Sequence, residues 1–379
     1  MVEHNATAAA TTEHSAALPT AGDVVRVRTR KAARLTVRLV GDLVAMVAPG
    51  GGEVQLQETA RALRAQHVDA RLWRPWEDHF EQIDIVHLFG STPGTATIAE
   101  AAKRAGKPVV LSPISWFDPS AMWRELAPLA TRASRVARWW LRRLSGHRGS
   151  WRRRLYHSVD ALLPNSMAEA SQLAELFGVP WQRLHVVPNA ADGRFANADP
   201  QAFVARYGVR DFVLCAGRIE PRKNQAALLR ALADTDVPVV ILGAAVPGQE
   251  SYYRECRRQA NGRVTFIDRL EHDDPLLAAA LAAARCLVLC SWFETPGLVA
   301  LEAALSGTPL VLTRRGSASE YFGPLARYVD PANEAEIRSA VTAAYDRPQS
   351  AALAELVRTQ YSWQVTAQAT RNVYDKILG

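Results

Sequence analysis

The sequence predicts an α/β protein of two domains, each a doubly wound parallel sheet with helices on both faces, meeting across one central cleft. Three observations predict it. Short apolar runs alternate with segments of helical periodicity along most of the chain. Those runs are continuously apolar, as expected of strands covered on both faces. The chain has 379 residues, enough for two hydrophobic cores.

Residues 1–34 read as a poorly ordered tail: Met1 to Thr20 is rich in Ala and Thr and lacks the basic start and apolar core of a signal peptide. Leu35 to Val40 is the first predicted strand, followed by a long loop closing on Pro49-Gly50-Gly51-Gly52-Glu53. From Val54 to Ala65 the positions Leu56, Thr59, Ala60 and Leu63 have helical spacing. A strand, a glycine-rich loop and a helix form a phosphate cradle, because the first amides of the helix point at the ligand. The loop is neither a Walker loop nor a G-x-G-x-x-G fingerprint. Strands at Ile83–Phe89, Pro108–Ser112, Asp160–Leu163 and Leu184–Val187 then alternate with helices at Thr95–Arg104 and Met167–Phe177. This first domain spans 35–195.

A second series fills 196–359. Its predicted strands are Phe212–Ala216, Pro238–Leu242, Val264–Ile267, Cys286–Cys290, Pro309–Leu312 and Arg327–Val329. A last helix covers Ser362 to Leu378.

Composition narrows the class without naming a function. A hydrophobic share of 48% and a charged share of 22% are ordinary for a globular protein. The four cysteines, Cys215, Cys256, Cys286 and Cys290, have no metal or redox spacing, and three fall in predicted strands, so they read as core residues in a reducing, cytoplasmic compartment. No uncharged run approaches membrane-spanning length. The net charge of +7 is local: residues 121–154 hold ten arginines against one acid, a net +9, which leaves −2 for the rest of the chain.

Function is concentrated in Ser291-Trp292-Phe293-Glu294-Thr295-Pro296-Gly297-Leu298-Val299-Ala300-Leu301-Glu302. It follows the strand Cys286–Cys290 and runs into a helical pattern, so Glu294 and Glu302 bracket a strand-to-helix turn where open α/β sheets bind ligands. Gly297 lets the backbone approach a ligand closely. A pair of carboxylates, which accept hydrogen bonds and donate none, suits a polyhydroxylated ligand such as a sugar or ribose.

Glu294, seven residues, then Glu302, in the context Trp292 to Leu298, Leu301-Glu302-Ala303-Ala304 and Gly307-Thr308-Pro309, resembles the bacterial members of retaining glycosyltransferase family 4 (group 1). The resemblance implies the GT-B fold, with two Rossmann-like domains. The first faces the acceptor and is completed by a C-terminal helix over 360–379; the second binds the nucleotide sugar. It also implies a hexosyltransferase moving sugar from a UDP- or GDP-sugar to a glycan or lipid-linked acceptor in polysaccharide or glycoconjugate synthesis. Retention in this family is attributed to front-face displacement, in which the departing phosphate helps to deprotonate the acceptor.

The same resemblance distributes roles. Arg218 and Lys223, in Gly217-Arg218-Ile219-Glu220-Pro221-Arg222-Lys223-Asn224, hold the diphosphate and, with Glu294, carry the catalysis. Negative charge grows on the leaving phosphate, and fixed cations stabilise it most at the transition state. Glu294 grips the transferred sugar and Glu302 the ribose, while Gly297 and Leu298 offer backbone amides to sugar and phosphate. Gly51 and Gly52 approach the diphosphate, and Arg269 and Leu270 fall where the nucleobase is read. One departure is Thr295-Pro296 where many members have Gly-Phe, which removes a backbone donor. With two cationic side chains at the phosphates, no metal and no other cofactor is required. Asp234-Thr235-Asp236, away from the cleft, reads as a solvated turn.

On the acceptor side, Leu111 to Asp118 lacks the histidine that family members commonly carry there, leaving Ser115, Asp118 and His87 as candidates. The arginine-rich stretch interleaves Trp123, Trp139, Trp140 and Trp151 with its charges, which fits either a peripheral face on the anionic inner leaflet or a solvated helix face. No nucleic-acid reader motif accompanies it. Alternatives to the transferase are a GT-B relative such as a nucleotide-sugar epimerase or disaccharide synthase, or a non-catalytic sugar-nucleotide-binding partner.

Overall fold

The computed structural model describes residues 34–42, 50–123 and 129–379. Expectations for the tail over 1–33, the loop over 43–49, and Arg124 and Glu125 lie outside the described residues. The first half runs β1 (Thr36–Val40), α1 (Gly51–Ala65), β2 (Asp69–Leu72), β3 (Ile85–Phe89), α2 (Pro93–Arg104), β4 (Val109–Ser112), α3 (Pro119–Trp123), α4 (Leu129–Leu144), α5 (Trp151–Ser158), β5 (Ala161–Leu162) and α6 (Met167–Phe177). Its strands form one sheet in the order β2-β1-β3-β4-β5, every pair parallel.

After α7 (Pro200–Tyr207) come β6 (Val213–Ala216), α8 (Gln225–Ala231), β7 (Val239–Leu242), α9 (Glu250–Gln259), β8 (Val264–Ile267), α10 (Pro275–Ala283) and β9 (Cys286–Leu289). The chain continues through α11 (Leu298–Leu305), β10 (Leu310–Thr313), α12 (Ala318–Phe322), β11 (Arg327–Val329), α13 (Glu334–Tyr345) and α14 (Ala351–Gln360) to α15 (Trp363–Leu378). This second sheet is also wholly parallel, in the order β11-β10-β9-β6-β7-β8.

The strands explain themselves by burial. Val37, Leu39, Ile85 and Leu88 in the first sheet, and Val213, Leu214, Leu287 and Val288 in the second, are essentially inaccessible. Each such side chain contributes about 1.5–3 kcal/mol relative to leaving it in water. All four cysteines are buried. Helix α15 packs against α1: Ala367, Val373 and Tyr374 join Leu56, Ala60 and Leu63 in one core, and Arg371 Nη1 donates to the Gln66 carbonyl at 3.0 Å.

Three local expectations are corrected. Strand β2 was not expected, because Asp-Ala-Arg-Leu hides its period; it is an edge strand whose Asp69 pairs with Arg38 at 3.3 Å. Leu184–Val187 makes a single bridge to Leu162 and two hydrogen bonds in place of a strand. The adjoining Pro164 has no amide to extend the ladder. Gly51 and Gly52 are the first turn of α1 rather than a loop: Gly50 is the extended N-cap, its amide donates to Glu53 Oε2 at 2.6 Å, and its carbonyl accepts from Val54.

Candidate active site

Strand order in the second sheet reverses between β6 and β9, and the loops leaving the carboxyl ends of those two strands flank this switch point. One loop carries Arg218 and Lys223, the other Glu294. Parallel pairing of β6 with β9 thereby brings together residues some seventy positions apart. Lys223 Nζ lies 2.6 Å from Glu294 Oε1, and Ser291 Oγ donates to the same oxygen at 2.5 Å. The backbones are stitched too: Trp292 N donates to the Arg222 carbonyl at 2.8 Å, and Arg222 Nη1 to the Phe293 carbonyl at 3.2 Å.

Glu294 is 4% exposed. Burial disfavours its charge, but the ammonium of Lys223, the guanidinium of Arg222 and its hydrogen bonds outweigh burial and hold the carboxyl below its ordinary value. On Lys223 the balance runs the other way: burial, helped by the neighbouring Arg222, holds the ammonium's pKa below its ordinary value although Glu294 raises it. Gly297, at φ +87°, caps α11, and a Cβ there would come within 3.2 Å of Glu294 Oε2. The carboxylate therefore rests against the amino end of α11, where a negative charge is favoured.

One turn into α11 stands Glu302, 4% exposed, with Oε1 accepting from His272 Nε2 at 2.8 Å. Arg218 is half-exposed and 3.3 Å from Glu220 Oε1, an oxygen it shares with Arg222. Across from it is the start of α1: a Cβ on Gly50 would lie 3.6 Å from Arg218 Nη1, and one on Gly51 3.7 Å from Leu298 Cδ1. Gly52 instead faces Ile114, at 3.6 Å on the same measure. Leu270 packs on the second sheet's core, and Arg269 is paired with Glu271 at 2.8 Å.

The acceptor-side candidates fare differently. His87 is corrected: it is buried inside the first lobe, not at the cleft. Its Nδ1 is 2.6 Å from Tyr374 Oη, which joins α15 to the sheet, and its Nε2 is 3.0 Å from Ser112 Oγ on the neighbouring strand β4, so both ring nitrogens are engaged. Ser115 offers its amide to Glu169 Oε1 at 2.7 Å. Asp118 Oδ1 accepts from the Ser120 amide at 2.8 Å, while its Oδ2 lies 4.0 Å from Arg315 of the second lobe.

Sequence reasoning passed over the residues that join the lobes and those beside Glu302. Asn165 Nδ2 donates to the Thr295 carbonyl at 3.3 Å, and the amides of Met167 and Ala168, opening α6, both donate to Glu320 at 2.7 Å. Arg315 donates to Ser120. Ser291 stood within the quoted stretch; His272, two positions after Leu270, carried no periodic mark.

Two facing Rossmann-like lobes, with cations and buried acids at the switch point of the second, define a GT-B protein. Family models agree: "Glycosyl transferases group 1" matches residues 201–357 and "Glycosyltransferase Family 4" residues 68–194. The chain belongs to the group 1 glycosyltransferases of family 4. It is 31% identical over 238 residues to a D-inositol 3-phosphate glycosyltransferase of Pseudarthrobacter chlorophenolicus, covering 58% of this chain and 57% of that one. To an MMP alpha-(1->4)-mannosyltransferase of Mycolicibacterium hassiacum it is 30% identical over 261 residues, 64% of this chain and 61% of the other. It thus spans less than two thirds of the length of these relatives. The fold matches sucrose-phosphate synthase from Thermosynechococcus elongatus (TM-score 0.71, 16% identity, 90% of this chain and 99% of that one). It also matches Anabaena HepE, solved with UDP and glucose (TM-score 0.67, 18% identity, 90% and 100%).

Proposed function

We propose that the protein transfers a hexose, with retention of configuration, from a UDP- or GDP-sugar to a hydroxyl of a glycan or lipid-linked acceptor in polysaccharide or glycoconjugate synthesis. The observation that carries this reading is the placement of Arg218, Lys223, Glu294 and Glu302 around the carboxyl ends of β6 and β9. Arg218 and Lys223 stabilise the charge that grows on the diphosphate as the glycosidic bond breaks. Lys223 carries three donors, so an ammonium already placed by Glu294 still has hydrogens for phosphate. Glu294 accepts from sugar hydroxyls and Glu302 from the ribose, while the amide of Leu298 at the amino end of α11 faces the phosphate. The leaving phosphate takes the acceptor's proton on the same face. Two fixed cations and a helix terminus supply countercharge that a metal supplies in other transferases, so no metal is required. The names of the two relatives, an inositol-phosphate glycosyltransferase and a mannosyltransferase, support a hexose donor and a hydroxyl-rich acceptor.

The test is a thermal-shift screen with UDP-, GDP-, ADP- and dTDP-sugars, followed by turnover with whichever stabilises. A donor at a hundredfold excess over its Kd adds about 2.7 kcal/mol to stability. Lys223→Ala is expected to lower kcat by about a hundred- to a thousandfold. No stabilisation by any of the four, or unchanged turnover in Glu302→Ala, overturns the reading.

A second element of the proposal concerns place. Helix α4 is held by a buried Trp139 and leaves Leu129, Trp140, Leu141 and Leu144 exposed beside Arg138, Arg142 and Arg143. Among the described residues no helix is long and apolar enough to cross a membrane. An apolar stripe edged with arginines supports peripheral attachment to the anionic cytoplasmic leaflet, where a lipid-linked acceptor resides.

A further inference from the structure

Beside Glu302 stands a pair of side chains that the proposed chemistry does not use. His272, in the loop after β8, points Nε2 at Glu302 Oε1 across 2.8 Å. The carboxylate accepts only, so this bond requires a hydrogen on Nε2. Behind the ring lies Arg194, from the segment that connects the two lobes. Its Nη2 donates to the His272 carbonyl at 2.9 Å and lies 2.7 and 3.2 Å from the two ring nitrogens. Those two distances are too nearly equal for Nη2 to sit on the lone-pair axis of either nitrogen, so the guanidinium packs against the imidazole while gripping its backbone. Phe195 packs beside both, its ring centroid 5.8 Å from that of His272 and 4.9 Å from the Arg194 guanidinium.

We infer that His272, clamped by Arg194, is a positioning residue: it holds Glu302 in the orientation that reads the ribose hydroxyls of the donor nucleotide. The inference rests on the donor-site reading above. A carboxylate on a helix has two rotatable bonds beyond its Cβ. Tethering Oε1 to a fixed imidazole removes that freedom before the ligand arrives and leaves Oε2, which has no protein partner among the described residues, to accept from the ribose. The loop that supplies His272 also carries Arg269 and Leu270, so nucleobase and ribose would be met by one rigid segment.

The experiment compares Kd by calorimetry for UDP against 2′,3′-dideoxy-UDP, and for GDP against 2′,3′-dideoxy-GDP, in the full chain and in Glu302→Ala, His272→Leu and His272→Gln. Each ratio is taken within one variant, so a loss of stability does not enter it. The unsubstituted protein is expected to prefer the ribonucleotide by on the order of tenfold or more, as for hydrogen bonds to a charged group. Glu302→Ala should bring the ratio near one, and His272→Leu to within about threefold of one. His272→Gln, whose amide can still donate to Glu302, should keep most of the preference. Loss of the preference in Glu302→Ala but not in His272→Leu overturns the inference and leaves the donor site standing. Equal loss in His272→Leu and His272→Gln overturns the hydrogen-bond account. No ribose preference in the unsubstituted protein, or no binding of either nucleotide, overturns the donor-site reading and the inference with it.

Discussion

Glu169 shows how one buried carboxyl can bias both structure and stability. It sits in the first turn of α6, 1% exposed, and takes the amides of Ser115 at 2.7 Å and Asn165 at 2.9 Å. Those bonds favour its charge, yet burial outweighs them and pushes the carboxyl up to about 7 from an ordinary 4.5. Between those values the folded state keeps a proton that the unfolded chain has released. Its contribution to stability is therefore fully present below the unfolded value and is lost as pH rises through about 7, at a cost of roughly 3 kcal/mol. His87 has the opposite slope. Burial lowers its imidazole to about 3 from 6.5, so the unfolded chain binds the extra proton, and stability is lost as pH falls below the unfolded value. The two effects oppose each other in the overlap of their windows. Glu169→Gln should expose the His87 slope: its urea midpoint is expected to climb from pH 4.5 to 6.5 more steeply than that of the unsubstituted protein, and parallel curves would refute the assignment.

At the scale of elements, the site depends on two backbones passing at van der Waals limits. Glu294 and Gly316 form a bridge between the loops after β9 and β10, and Ser317 N donates to the Glu294 carbonyl at 2.9 Å. A Cβ on Gly316 would fall 1.9 Å from that carbonyl oxygen, at φ +112°. Gly208, which ends α7 at φ +70°, has nothing within 4 Å of its Cβ position. Gly316→Ala is thus expected to cost roughly 3 kcal/mol or more, by displacing the loop that carries Glu294, whereas Gly208→Ala should cost only about 1 kcal/mol. Urea midpoints of the two variants check this; equal losses would mean that the bridge is not held tightly. Nothing local marks Gly316 in the sequence, because the contact that requires a glycine there is made with a loop from another part of the chain.

Over the whole chain, charge is unevenly spread along the sequence. The net +9 of residues 121–154 is set against −2 over everything else. Near an anionic surface each basic residue adds about 1 kcal/mol of attraction, screened within a Debye length. The exposed Leu129, Trp140 and Leu144 on α4 add an apolar contribution that salt does not screen. At low salt the protein should co-sediment with vesicles containing phosphatidylglycerol and not with pure phosphatidylcholine. Trp140→Ser combined with Leu144→Ser should weaken that binding by roughly tenfold or more. Failure to sediment with the anionic vesicles at low salt would remove the membrane reading.

How much was legible in the chain depends on the range of the forces involved. Continuously apolar strands, alternating with helical periods, announced two parallel sheets because burial on both faces leaves a mark in local composition. The placement of Arg218, Lys223 and Glu294 in loops after strands, and of Glu302 one turn into the helix that follows, was legible because each position is readable from its own neighbours. His87 was misplaced because a strand-end histidine looks the same whether it meets solvent or, as here, the hydroxyl of Tyr374, 287 positions away. The 2.6 Å pairing of Lys223 with Glu294, the His272 tether on Glu302 and the Glu320 cap across the lobes came only with the tertiary structure. Propensity and hydrophobic period act over a turn or a strand, whereas hydrogen bonds and charge pairs act over a few ångströms, between residues that only the packed sheets bring within reach.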